Sequence, residues 1–69
     1  MIDRFDLNQL ETMIDQYGLD AVTDAIADIC IQKTEHVLTN WQDADLAEHW
    51  NKAAKIVNAA TGKILDLKL

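Results

Sequence analysis

Apolar residues recur along the whole chain with the three- and four-residue spacing of helices. Leu7, Leu10, Ile14 and Tyr17, with Met13 beside them, make the first stripe. They predict a helix over residues 7–17, about 16 Å long at 1.5 Å per residue. Asp6 stands where an N-cap belongs, Gln9 has capping-box spacing, and Phe5 with Leu10 has the spacing of a hydrophobic staple. Gly18 supplies the stop: it suits a left-handed position past the helix, with Leu19 folding back on Ile14.

The second helix is expected over 20–39, capped by Asp20, and the chain is organised around it. At about 100° per residue, Val22, Ala25, Ile26, Ile29, Cys30 and Val37 share one broad face. A second seam runs Ala27, Ile31, Thr34, Leu38, Trp41, spaced four and three in alternation. A helix with two apolar seams needs two neighbours. One comes from its own chain, the other from a second copy or a different protein. The alternative is a single wide face wrapped by the flanking helices.

The third helix is expected over 43–66 and carries the cleanest pattern: Leu46, Trp50, Ala53, Val57, Ala60, Ile64. Gly62 lies on its outer side, where it weakens the helix without disturbing the stripe. Thr39, Asn40 and Asp43 are cap formers that mark the corner before it. These patterns predict one all-α domain over 1–69: a short helix, a long central helix and a long C-terminal helix. They also predict packing as a homo-oligomer, through a seam of Ala27, Ile31, Leu38, Leu46, Trp50 and Val57.

Composition strengthens the helical reading, because proline is absent and glycine appears twice in 69 residues. A chain this short buries a modest core, which favours oligomerisation as a source of stability. One cysteine allows no internal disulfide, and Cys30 on the apolar face reads as a small buried hydrophobe. A reducing, cytoplasmic setting is expected, with neither a signal peptide nor a membrane-spanning segment.

Charge changes the picture further. The net value is −6, but residues 1–50 hold 11 acids and 2 bases (−9), and residues 51–69 hold 1 acid and 4 bases (+3). Direct nucleic-acid binding is not expected, since phosphate contact needs clustered Lys and Arg. A basic protein partner remains open. So does neutralisation within the chain by lysines of the third helix. Asp20, Asp24 and Asp28 form a ridge at four-residue intervals, with no lysine four residues beyond any of them. Like charges at that spacing cost a few tenths of a kcal/mol per pair.

Candidate chemistry is sparse. Lys33 interrupts the main apolar face of the second helix, with His36 at its margin. Its stem can lie along the core with the ammonium in water, or it anchors an interface together with Asn40. Trp41 at the corner is expected as a lid on the core, the other reading being an exposed binding anchor. No acid stands three residues before either histidine, so the metal motif of helical bundles is missing, and no metal or cofactor is expected. Serine is absent, Cys30 is expected to be buried, and no glycine-rich phosphate loop exists. An enzyme is therefore not expected.

The stretch from Tyr17 to Ala54, YGLDAV-DAIADIC--K-EHV--NWQD--LAEHW-KAA, resembles short bacterial and phage-encoded proteins with no assigned activity. The resemblance covers about half the chain and transfers no site. It implies a small intracellular accessory protein of prokaryotic or viral origin. Three functional expectations follow. The first is a self-associating, non-catalytic interaction module. The second is an acidic decoy, of the phage-inhibitor type, that occupies a basic nucleic-acid-binding groove of a host protein. The third is a small-molecule site between copies, built from Lys33, His36 and Trp41.

Overall fold

The computed structural model describes all 69 residues as three helices and no strands: α1 (Arg4–Tyr17), α2 (Leu19–Asn40) and α3 (Ala44–Leu67). Each helix begins or ends differently from the sequence expectation. Asp3, not Asp6, caps α1: its Oδ1 accepts from the Asp6 backbone N–H at 2.8 Å. The earlier start adds the Leu7 N–H to Asp3 carbonyl bond (2.9 Å) and moves Asp6 into the first turn, where the helix dipole favours a carboxylate.

Gly18 has positive φ, as expected, but at φ 96° and ψ 150° it is not in the left-handed helical region. It closes α1 through its N–H on the Ile14 carbonyl (2.7 Å) and opens α2 through its own carbonyl, which accepts from Val22 (3.2 Å). One residue thus serves as both caps. Asp20 therefore lies inside α2 rather than capping it, and the α2 start has no side-chain cap.

At the second corner Trp41, Gln42 and Asp43 suffice to reverse the chain, with Gln42 at φ 50°. Asp43 caps α3 by accepting from the Leu46 N–H at 3.0 Å. So short a loop returns α3 antiparallel along α2, about 33 Å of paired helix. The far end is fixed by Thr61 of α3, whose hydroxyl lies 2.7 Å from that of Thr23.

The core lies along this hairpin and consists of small residues. Val22, Ala27, Cys30, Val37, Ala47, Ala54 and Thr61 are buried, and no large side chain is fully enclosed. On α3 the buried positions recur every seven residues (47, 54, 61), each followed three residues on by a half-buried one, Trp50, Val57 and Ile64. The seam thus differs by one position from the sequence expectation. Ala47, Ala54 and Thr61 replace Leu46, Ala53 and Ala60, because small side chains let the two backbones approach closely.

α1 folds across the first turns of α2, where Val22 is buried, and makes no close backbone approach to α3. None of its residues is fully buried. The chain is a hairpin with an arm. Its radius of gyration is 13.9 Å, against about 11 Å for a compact chain of this length.

Candidate functional site

On α2 the two apolar seams converge on one neighbour. α3 occupies the arc where they overlap, burying Cys30 and Val37 from one seam and Ala27 from the other. What remains of each seam faces outward on opposite sides of the hairpin. Heptad geometry gives the partners of each remnant, because an antiparallel pair brings like flanking positions of the two helices together. The first flank carries Ile26, Ile29 and Lys33 of α2 beside Ala53, Ile56 and Ala60 of α3. The second carries Ile31 and Leu38 of α2 beside Asn51, Asn58 and Leu65 of α3. Ile26 and Ile29 are 40% and 51% exposed, and Ile31 and Leu38 are 43% and 47% exposed.

The two flanks differ in charge. The acidic ridge of Asp20, Asp24 and Asp28 runs along the outer edge of α2 next to Ile31, continued by Glu35. Asp24, Asp28 and Glu35 are exposed and Asp20 is half-buried. No ion pair links the ridge to a lysine. The one ion pair in the chain joins Glu48 to Lys52 at 3.5 Å within α3, with both side chains largely in solvent. The lysines of α3 thus make no direct ion pair with the acids of α2. On the first flank the lysines are Lys33 and Lys63, with His36 and His49 at the margin, and no acid interrupts it.

Of the expected binding residues, Lys33 and His36 share a shallow groove of about 260 Å³ with Ile29 and Gln32. Asn40 Nδ2 donates to the His36 carbonyl oxygen at 3.0 Å and lies 3.0 Å from its Nδ1. Trp41 does not join them. It is 71% exposed at the tip of the hairpin, which corrects the expected lid. The corner is so tight that the indole follows the backbone outward, and the small-residue seam ends without needing a cover.

Of the expected oligomer seam, Ala27 is buried within the chain and Trp50 and Val57 are half-buried on the α2–α3 contact. Ile31, Leu38 and Leu46 remain on the surface. Ile56 on α3 and Phe5 on α1 are large exposed apolar residues outside every seam read from the sequence. The outward position of Ile56 follows once Ala54 and Thr61 are known to face α2.

A cleft of about 490 Å³ separates the α1–α2 corner from the end of α3, lined by Ile14, Leu19, Ile64 and Leu65 among others. Asp15, Asp20 and Lys68 stand on its rim, but no three His, Cys, Asp or Glu side chains cluster anywhere as metal ligands would. No helix is long and apolar enough to cross a membrane. No family model, curated protein or solved structure matches the chain.

Proposed function

We propose that the protein is a non-catalytic helical interaction module that associates with copies of itself. The observation that carries this reading is surface area. The chain exposes 5662 Å², whereas a folded monomer of 7.8 kDa exposes about 4,400 Å². The excess, about 1,300 Å², exceeds the roughly 800 Å² that each partner contributes to a standard protein interface. Exposed isoleucine and leucine on both flanks, over a core of alanine, valine, cysteine and threonine, favour the same reading. Light scattering across a wide concentration range tests it: the expected mass is a multiple of 7.8 kDa that falls on dilution. A mass of one chain at every concentration would falsify it.

The unpaired acidic ridge favours a second reading, an inhibitor that occupies a basic nucleic-acid-binding surface of a host protein. Asp20, Asp24 and Asp28 would supply the phosphate-like charges, and association would be steered by charge and weakened by salt. Proteins captured on the chain should then be basic, and both added duplex DNA and high salt should release them. Capture indifferent to salt rules this reading out.

A further inference from the structure

We infer that self-association is reciprocal: α1 of each copy lies on the first flank of the other, against Ile26, Ile29, Ala53 and Ile56. This deepens the self-association reading and rests on it. Three observations lead to it. First, α1 is an arm with unused apolar surface. Leu10 and Ile14 are half-buried on α2, but Leu7 and Phe5, further out on the same helix, are exposed. Second, the flank beyond Val22 is open. Had α1 folded back along its own α2, Ile26 and Ile29 would be covered, and they are not. Arm and vacant flank belong to one molecule whose own geometry keeps them apart, so a two-fold axis lets each copy satisfy the other.

Third, charge selects the first flank over the second. α1 with its cap carries Asp3, Asp6, Glu11 and Asp15 against Arg4, a net −3. The first flank offers Lys33 and Lys63 and no acid. The second flank borders the aspartate ridge, which repels another acidic chain. Ala53 and Ala60 add room for a helix to approach, while Ile29 and Ile56 stand on either side of the seam. A second copy therefore fits in both area and sign.

The test separates the two flanks. Ile29→Glu and Ile56→Glu alter the first flank, Leu7→Glu alters the arm, and Ile31→Glu and Leu38→Glu alter the second flank. All five positions are exposed in the single chain, so helicity by circular dichroism should persist in each. Should a glutamate lower the helical signal, serine at the same position takes its place. The dissociation constant from sedimentation should rise about tenfold or more for the first three and little for the last two.

Loss of association from Ile31→Glu or Leu38→Glu, with Ile29→Glu and Ile56→Glu still associated, overturns the inference and leaves the self-association reading standing. An unchanged Leu7→Glu removes the arm from the interface and overturns the reciprocal arrangement. A wild-type chain that never associates ends both readings.

Discussion

Gly18 holds the two ends of α1 and α2 together, and its backbone shows why glycine stands there. At φ 96° an L side chain is strained, and a Cβ would lie 2.9 Å from Asp20 Oδ1. Gly62 is the opposite case, in a helix interior where an added methyl would meet nothing within 4 Å. Thermal unfolding should therefore show Gly18→Ala destabilising by about 1–3 kcal/mol and Gly62→Ala stabilising by up to about 1 kcal/mol. Gln42 is a third position of unusual backbone. Its φ of 50° suits glycine or asparagine better than a long side chain. Gln42→Gly should raise stability by about 1 kcal/mol in denaturant titration, since the exposed side chain gives up no packing at this corner. Thr23 and Thr61 illustrate satisfaction by relay. Thr61 can donate to Thr23, which donates to the Asp20 carbonyl, or the order reverses and Thr61 donates to the Val57 carbonyl. Either direction leaves no buried hydroxyl unpaired.

Among the elements, the α2–α3 pair is set by what its residues lack rather than by what they fill. Ala47 and Ala54 are each 2% exposed and Ala27 is 1% exposed, so there is no space for a larger side chain along the seam. Ala54→Leu forces the helices apart and should cost about 1–3 kcal/mol, measured by chemical unfolding. Ala60→Leu, on the exposed flank, should cost little in the single chain. α1 is different in kind. Its cap on Asp3 and its junction at Gly18 make it a helix, but only its inner turns meet α2, which is why its outer turn remains available.

At the scale of the molecule, the acidic edge of α2 is held against repulsion. No carboxylate of the ridge is ion-paired, and Asp24 and Asp28 repel Asp20 and each other through solvent. The double change Asp24→Asn with Asp28→Asn should raise the unfolding temperature at low salt by a few tenths of a kcal/mol in equivalent stability. The gain should fade as salt rises, because screening already does the same work. If the ridge instead binds a basic partner, the same variant loses that partner while gaining stability. The extents of 39 × 29 × 16 Å describe a flat object, two helices wide with an arm, and flatness is what leaves both apolar flanks uncovered.

Much of this was legible in the sequence. Helical periodicity, the absence of proline, the stop at Gly18 and the cap at Asp43 determine three helices of about the observed lengths, because each is a local property of a few neighbouring residues. The expectation that α2 has more apolar surface than one neighbour covers is likewise a count of positions around a helix. The sequence alone could not say which arc of α2 meets α3. Leu46, Ala53 and Ala60 make as good a stripe on paper as Ala47, Ala54 and Thr61. The choice is made by how closely two backbones approach, and that distance depends on both helices at once. The exposure of Trp41, the lack of ion pairs between α2 and α3, and the open angle of α1 follow from the same close fit. Each depends on where a second element lies in space, and no periodicity within one element records that.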